Sequence, residues 1–397
     1  MSNRGELTRR CFITGSSVAT AAVAAGFPGI VRAASNEPIR IGVICGLSGV
    51  NSPVAPAVVQ SAQLAVSELN GKGGVLGRKL ELSIVDDESG ASGAVKAFNS
   101  AVYDKKVNII IAMETSAARN AGEPIAGRTH MPFIYTSFYE GGACAPNLFV
   151  NAWVPPQVVV PLVKFMAQEK HVKTWYAVGS DYAFGRGMID AAVKYIQATG
   201  GKVLGQEFNP LSSTDWEPIL SKVRAAKPDG IIYATSGGSP NATFLKQYKA
   251  TGLDLPVGSL SIDELTAQKI GEPAEGVYYT ADYFTTLKNP ENEKYLAAMK
   301  RMFGSKLLTP NDLSEPEYDG VYAYAMAIER AKDLDADAVM KALPEIAFKG
   351  PRGVVQMNKE HHAALPIYLA QIQRNGESKV IKSFGLISPS NQCPHLS

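Results

Sequence analysis

Polar residues suited to binding a small molecule recur at or just after the ends of short apolar runs in this sequence. Nine of them stand at comparable positions in the two halves of the chain: Glu114, Thr115, Ser116, Tyr135, Ser137, Asp181, Tyr182, Ser236 and Asp263. Hydroxyl groups donate to a carbonyl or carboxylate, carboxylates accept from an amine or amide, and aromatic rings enclose the rest of a solute. Any one of these residues is more simply explained as a helix cap, so the predicted binding site depends on their repetition.

Catalytic, phosphate-binding and metal-binding motifs are weaker. Ser48 lies in residues 46–50, which lack the second glycine of a nucleophile elbow, and no histidine is placed to serve it. His361 and His362 point to opposite sides of an extended segment, which favours a turn or surface role over a metal site. Residues 71–77 are rich in glycine but lack the Gly-Lys-Ser/Thr ending of a phosphate loop. We therefore predict no enzyme, no cofactor and no metal, with an α/β enzyme as the alternative class.

Strand-like and helix-like patterns alternate along the chain and determine where the polar residues lie. Apolar runs at residues 39–44, 79–85, 107–112 and 133–135 are separated by helical repeats, and the same order returns between residues 158 and 281. This alternation predicts an α/β fold with two doubly wound parallel sheets of Rossmann-like form. Open α/β sheets bind ligands beyond the carboxyl ends of their strands, because loop amides and helix N-termini converge there.

Chain length and element order predict two lobes joined by a three-segment hinge. A chain of 397 residues exceeds one ordinary hydrophobic core. Residues 132–156 contain the end of a strand, a run of small polar residues, and then prolines that lead into the second series of strands and helices. This segment is therefore predicted both to line the site and to cross between the lobes. The predicted division is residues 35–154 with 286–348 for lobe 1, residues 155–285 with 349–385 for lobe 2, and a tail of residues 386–397.

Residues 1–34 have the form of an export signal. Arg9 and Arg10 precede an alanine-rich, weakly apolar run that ends in small residues, as in a twin-arginine leader. A membrane anchor is the alternative, but the run is short and contains Gly26, Pro28 and Gly29. The leader carries a surplus of three positive charges, so the formal net charge of +2 becomes −1 without it. No basic face is left to bind nucleic acid or anionic lipid.

Three cysteines, Cys45, Cys144 and Cys393, lie outside the leader. An odd number in an exported protein permits one disulfide and one free thiol, and the spacing does not say which two pair. None of the pairs has the spacing of metal ligands.

Three motifs are specific enough to indicate a family. They are Tyr139-Glu140-Gly141 after the fourth strand, Gly179-Ser180-Asp181-Tyr182 in the second half, and Gly350-Pro351-Arg352-Gly353 followed by residues 358–362. With them, the chain from residue 39 to about residue 380 resembles the type I periplasmic binding proteins of the Leu/Ile/Val-binding family, which serve ATP-driven importers. The resemblance is greatest to the branch that binds urea and short-chain amides.

The resemblance implies which residues meet the ligand. By position, the implied contacts are Ser116, Tyr135 and Ser137 in the first lobe and Tyr182, Ser236 or its neighbours, and Asp263 in the second. Glu114 departs from the pattern expected of the amide branch, where this position need not be charged. A carboxylate there would meet an ammonium group.

The resemblance also implies a mechanism and a location. The lobes would close over a small polar solute in the periplasm, an amino acid, urea or a short-chain amide, and the permease subunits of an ABC transporter would recognise the closed form. No nucleic-acid partner and no membrane insertion of the mature chain are expected. A ligand sensor that signals to a receptor or regulator is the alternative.

Overall fold

The structure is a computed structural model that describes residues 37–396. The predicted export signal at residues 1–34 lies outside this range. No helix within the described residues is both long and apolar enough to cross a membrane.

The first sheet consists of parallel strands. They are β1 (Ile39–Cys45), β2 (Leu80–Asp86), β3 (Ile109–Met113), β4 (Phe133–Tyr135) and β5 (Leu148–Val150). Their order in the sheet is β2-β1-β3-β4-β5. The first four agree with the predicted apolar runs. The fifth was not predicted, because the chain reaches it from β4 through residues 136–147 without an intervening helix.

The second sheet contains a parallel part and an antiparallel part. Its strands are β6 (Thr174–Ser180), β7 (Lys202–Asn209), β8 (Gly230–Ala234), β9 (Val257–Ser259), β10 (Tyr278–Ala281), β11 (Ala347–Gly350), β12 (Gly353–Met357), β13 (Ala363–Ile372) and β14 (Ser378–Ile387). The order is β11-β12-β13-β10-β9-β8-β6-β7, with β14 also paired to β13. The segment from β10 to β7 is parallel, and the remaining pairs are antiparallel. β12 and β13 pair through Gln356 with Ala364 and Met357 with Ala363.

The helices cover the faces of both sheets. They are α1 (Ala55–Gly71), α2 (Ala91–Asn99), α3 (Ser116–Arg128), α4 (Pro155–Glu169), α5 (Ala183–Ala198), α6 (Glu217–Ala226), α7 (Ser239–Ala250), α8 (Glu264–Ile270), α9 (Pro290–Phe303), α10 (Glu315–Ala331) and α11 (Ala336–Ala342). α10 has a proline in its first turn, where the missing N–H is tolerated, and Arg330 in its last turn, where a positive charge suits the helix dipole. Its apolar face, which includes Val321 and Ile328, is buried.

The chain passes between the two sheets three times. Residues 151–154 join β5 to α4, residues 282–289 join β10 to α9, and the β11–β12 hairpin joins α11 to β13. We call these the first, second and third crossings. After the second crossing, α9 and α10 pack against α1, and α11 packs against α10.

A disulfide adds a further covalent link. Cys144, in the loop between β4 and β5, is bonded to Cys393 in the tail that follows β14. Cys45, at the end of β1, is a buried free thiol. The sequence had left this pairing open, because the two partners are 249 residues apart.

Candidate ligand-binding site

Residues beyond the strand ends of both sheets line a cavity of about 30 Å³. They are Asn51, Met113, Glu114, Thr115, Ser116, Ser137, Phe138, Tyr182, Phe184, Gly237 and Leu313. In the first lobe, Glu114 follows β3 and Ser137 follows β4. In the second lobe, Tyr182 follows β6 and Gly237 follows β8. The doubly wound topology therefore brings the two sets of polar residues to one place.

The size of this cavity indicates that the lobes are closed. About 30 Å³ holds one or two water molecules, whereas small-molecule pockets usually measure about 300 Å³ or more. Larger grooves of about 380 and 400 Å³ lie elsewhere and contain none of the nine predicted site residues.

Close contacts between the lobes support this interpretation. Lys269 Nζ, on α8, donates a hydrogen bond of 2.9 Å to the carbonyl oxygen of Pro53 in the first lobe. Gly187, on α5, lies so near Glu140 that an added Cβ would be 2.5 Å from the glutamate Cβ. Glycine at this position permits the second lobe to approach the first.

Thr115 and Ser116 have different roles at the start of α3. Thr115 Oγ1 accepts a hydrogen bond of 3.2 Å from the Ala118 N–H and so caps the helix. Ser116 Oγ donates to Glu140 Oε2 at 2.6 Å, and Arg119 Nη2 donates to Glu140 Oε1 at 3.1 Å. The Glu140 carboxylate is thus paired beside the cavity.

Arg119 is itself enclosed. Its guanidinium lies 5.0 Å from the ring centroid of Tyr135 and 4.4 Å from that of Tyr139, and the residue is 3% exposed. Rings on the guanidinium and a carboxylate at its edge stabilise the buried charge. Arg119 is not among the residues that line the cavity.

Glu114 lines the cavity and has no cation paired with its carboxyl group. The residue is 1% exposed, no N–H or hydroxyl group among the described residues donates to either carboxyl oxygen, and the carboxyl group of Asp87 lies within hydrogen-bonding reach. Burial raises the pKa of Glu114 well above its ordinary value, the nearby Asp87 raises it further, and Arg119 opposes the shift. Burial also raises the pKa of Asp87 to about 6, although its carboxylate accepts a 2.7 Å hydrogen bond from the Ser89 N–H. A positive group on a ligand would be favoured beside these two acids.

Aromatic rings from both lobes form an apolar wall. Phe138 stacks on Trp153 with ring centroids 4.2 Å apart and an angle of 9° between the planes. Phe184 of the second lobe lies 5.6 Å from Phe138, and Tyr182 lies 5.9 Å from Phe184. Stacked and tilted rings of this kind provide contact area for the apolar part of a solute.

Tyr182 and Ser236 contribute hydroxyl groups on the second lobe. Burial raises the pKa of Tyr182, and the neighbouring Ser236 side chain acts in the opposite direction. The phenol is therefore neutral at physiological pH and able to donate. Ser236 is buried behind it, with its N–H donating to Ser180 Oγ at 3.1 Å.

Four residues from the predicted set are not part of the cavity lining: Ser236, described above, and Tyr135, Asp181 and Asp263. Tyr135 is fully buried, and its hydroxyl donates to the Glu114 carbonyl oxygen at 2.8 Å, so it supports the site from behind. Asp181 is exposed and pairs with Arg186 at 2.6 Å. Asp263 caps α8 by accepting a 2.9 Å hydrogen bond from the Thr266 N–H.

Several lining residues were not predicted: Asn51, Met113, Phe138, Phe184, Gly237 and Leu313. The two phenylalanines follow strand ends by three or four residues, which is a detectable position. Leu313 precedes α10, far along the chain from both groups of strand ends. Only the three-dimensional arrangement of the lobes identifies it.

The paired histidines have separate structural partners. His362 Nε2 lies 2.5 Å from the Tyr139 hydroxyl, and the His361 ring stacks on Phe149 with centroids 4.1 Å apart. Across residues 37–396, no group of three or more His, Cys, Asp and Glu side chains is arranged to hold a metal ion.

Two α/β lobes that meet at a cavity, with polar and aromatic groups from the ends of both sheets, define a two-lobed solute-binding protein of the type I fold. A family model described as periplasmic binding protein matches residues 38–377, and the chain belongs to this family. It is a binding protein and not an enzyme, as predicted.

Curated relatives support the predicted Leu/Ile/Val-binding family. Leu/Ile/Val-binding protein homolog 6 from Brucella melitensis is 27% identical over 263 residues, which is 63% of this chain and 66% of that protein. The leucine-, isoleucine-, valine-, threonine- and alanine-binding protein from Pseudomonas aeruginosa is 26% identical over 344 residues, covering 83% and 87% of the two chains. Neither name refers to urea or an amide.

Solved structures agree with the fold. A solute-binding protein of an ABC transporter from R. palustris, in complex with benzoate, superposes with a TM-score of 0.81 at 20% identity, covering 90% of this chain and 99% of that one. A leucine-binding protein from Thermotoga maritima superposes with a TM-score of 0.78 at 22% identity, covering 87% and 99%. The predicted fold class is therefore confirmed.

Proposed function

We propose that this protein is the extracytoplasmic solute-binding component of an ABC import system and that its ligand is a small amino-acid-type solute with an ammonium group. The protein is exported to the periplasm, closes its lobes over the solute and delivers it to the permease subunits. The hinge crossings, the interlobe cavity and the membership of the periplasmic binding protein family support this proposal.

The buried carboxyl group of Glu114, which lies beside Asp87 and has no cation paired with it, is the observation that carries the ligand assignment. It is buried, it lines the cavity, and no lysine or arginine is among the lining residues. The nearest guanidinium identified at the site, that of Arg119, is already bound to Glu140 and covered by two rings. An aromatic carboxylate such as the benzoate in the R. palustris structure would place its negative charge beside two buried acids and no available cation.

Hydroxyl groups complete the recognition of an amino acid. Ser137 and Tyr182 provide donors for the ligand carboxylate, while Phe138 and Phe184 provide surface for its side chain. Several hydrogen bonds to a buried solute of this size are sufficient for micromolar binding, about 8 kcal/mol. Urea and short-chain amides lack a full positive charge and would bind to the same site with lower affinity.

Closure follows from where these groups lie. Glu114 and Ser137 belong to one lobe, and Tyr182 and Phe184 belong to the other, so the full set of contacts forms only when the lobes meet. A solute that contacts both lobes shifts the population toward the closed form. A permease that recognises the closed form therefore binds mainly protein that carries solute.

A ligand panel tests the assignment. The purified protein is heated with L-leucine, L-valine, L-alanine, urea, acetamide, benzoate and 4-hydroxybenzoate, and hits are titrated by calorimetry. We expect an amine-bearing solute to bind and Glu114→Gln to weaken its affinity at least about tenfold, or 1.4 kcal/mol. Glu81→Gln, an exposed change on β2, is the matched control.

Two results would contradict the proposal. The first is micromolar binding of benzoate that Glu114→Gln leaves intact. The second is chemical conversion of any solute in the panel, which would favour the α/β enzyme alternative. Capture of a receptor domain in place of a permease would favour the sensor alternative.

A further inference from the structure

Arg352 lies at the turn of the β11–β12 hairpin and is completely buried. Its Nη1 donates to the Asn151 carbonyl oxygen at 3.1 Å and to Asp282 Oδ2 at 2.5 Å. Its Nη2 donates to Asn151 Oδ1 at 2.9 Å, and its Nε donates to Asp319 Oδ2 at 2.9 Å. Glu315 Oε2 lies 3.2 Å from the same Nε.

These partners come from all three crossings. Asn151 is in the first crossing, Asp282 begins the second, and Arg352 is in the third. Asp319 and Glu315 lie on α10, which packs on the first lobe. A single guanidinium therefore joins every segment by which the chain passes between the lobes. Its planar fork of five donors makes this possible, and the single ammonium of lysine does not.

The neighbouring residues are shaped to hold this arginine. A Cβ added to Gly350 would lie 2.3 Å from Asp319 Oδ1, so only glycine permits the carboxylate to approach. Gly353 has a φ of +115°, which side chains rarely adopt. The carbonyl oxygen of Arg352 accepts a 3.0 Å hydrogen bond from the Tyr368 hydroxyl. The Gly350-Pro351-Arg352-Gly353 motif thus has a structural purpose that ligand binding does not explain.

The geometry of Nη1 indicates how this cluster affects motion. That one nitrogen bonds the first crossing through Asn151 and the second through Asp282 while the lobes enclose only about 30 Å³. A rotation that separates the first and second crossings must lengthen at least one of the two bonds. The free-energy cost of such a rotation is increased because the buried carboxyl groups of Asp282, Glu315 and Asp319 all pair with this guanidinium.

We propose that Arg352 is a positioning residue that stabilises the closed arrangement of the two lobes by binding all three crossings at once. It does not touch the solute. It sets the closed fraction of the protein in the absence of solute, and through that fraction it sets the apparent affinity. The inference does not depend on which solute is bound.

Single-molecule fluorescence transfer in buffer without solute tests the proposal. Dyes are attached to cysteines introduced at two exposed positions, Lys96→Cys on α2 and Lys222→Cys on α6, in a Cys11→Ser background. Cys45 is buried and the other two native cysteines form a disulfide, so the new thiols react selectively.

We expect Arg352→Lys to lower the closed fraction at least fivefold relative to the parent protein. Arg330→Lys, on an exposed ion pair with Glu345, is the matched control and should leave the distribution unchanged. Since a lysine amine in this site could prevent folding, Asn151→Ala is the second variant. It removes one of the guanidinium bonds to the first crossing without burying a new charge, and we expect at least a twofold loss of closed fraction.

An unchanged closed fraction in folded Arg352→Lys, or in Asn151→Ala if the lysine variant fails to fold, would overturn the proposal. Both measurements are made without solute. A failure here is therefore separate from a failure of the ligand assignment, which would leave the distance distributions as expected and change only the panel results.

Discussion

The ammonium group of Lys269 lies 2.9 Å from the carbonyl oxygen of Pro53, and this hydrogen bond joins the second lobe to the first. It connects α8 to the segment that leads into α1. The bond exists only while the lobes are together, so it contributes to closure and not to the stability of either lobe.

Lys269→Met should therefore weaken ligand binding modestly. The side chain is exposed, so solvent reduces the value of the hydrogen bond to about 0.5–1 kcal/mol, or roughly a two- to fivefold increase in Kd. Calorimetric titration measures the change, with Lys249→Met on α7 as the control. An affinity equal to that of the control would show that the contact does not contribute to closure.

Gly187→Ala should have opposite effects on stability and affinity. Alanine in a helix interior is favoured over glycine by about 0.5–1 kcal/mol, so the midpoint of thermal unfolding should rise. The new methyl group would meet Glu140 in the closed form, where an added Cβ lies 2.5 Å from the glutamate Cβ, so ligand affinity should fall about tenfold. Gly127→Ala on α3 is the control, since its nearest contact is a flexible side-chain end at 3.2 Å. Unchanged affinity in Gly187→Ala would mean that the lobes do not approach this closely when ligand is bound.

Removal of the disulfide should lower stability. Cys144→Ala combined with Cys393→Ala releases a link between residues 249 positions apart, and such links typically stabilise by roughly 2–5 kcal/mol. Urea unfolding with and without reductant measures the difference. The parent protein under reducing conditions should match the double variant. A free energy of unfolding that does not change would indicate that the tail contributes nothing to the folded state.

Stability should fall as pH rises from about 6.5 to 8. Burial raises the pKa of Glu264 and of Glu317 to about 8, so these carboxyl groups hold protons in the folded chain that they lose in the unfolded chain. Where the folded state binds more protons, the free energy of unfolding decreases with increasing pH. Burial lowers the pKa of His362 to about 4, and this effect has the opposite sign but fades as the pH rises above the ordinary imidazole pKa of about 6.5.

Glu317→Gln isolates one contribution to this pH dependence. The amide cannot ionise and still accepts from Thr136, whose hydroxyl donates to Glu317 Oε2 at 2.6 Å. Urea unfolding at pH 6.5, 7.25 and 8 should show a smaller slope for this variant than for Glu81→Gln. An identical slope in the two variants would contradict the assignment of a buried, protonated carboxyl at position 317.

The sequence pattern predicts where strands end more reliably than which way a side chain points. Glu114, Ser137 and Tyr182 follow strand ends and line the cavity. Tyr135 is the last residue of β4, and the alternation of side chains along the strand directs it into the core beneath the site. The carboxylate of Asp263 caps the N-terminus of α8, and this local hydrogen bond competes with ligand binding for the same carboxylate.

Features that depend on the approach of distant segments could not be predicted. Leu313 and Gly237 meet at the cavity because of how the lobes close, which no local pattern records. Arg352 was visible as part of a motif, but its purpose depends on Asn151 and Asp282, which lie 201 and 70 residues away. β5 was missed because its three residues follow β4 through a loop, without the helix that separates the other strands of the first sheet.

The position of the ligand nitrogen relative to Glu114 tests the central claim most directly. A crystal structure of the complex with the tightest-binding solute of the panel gives this distance. The account predicts an ammonium nitrogen about 3 Å from a Glu114 carboxyl oxygen, with the rest of the solute between Phe138 and Phe184. A carboxylate, or no charged group, at that position would contradict it.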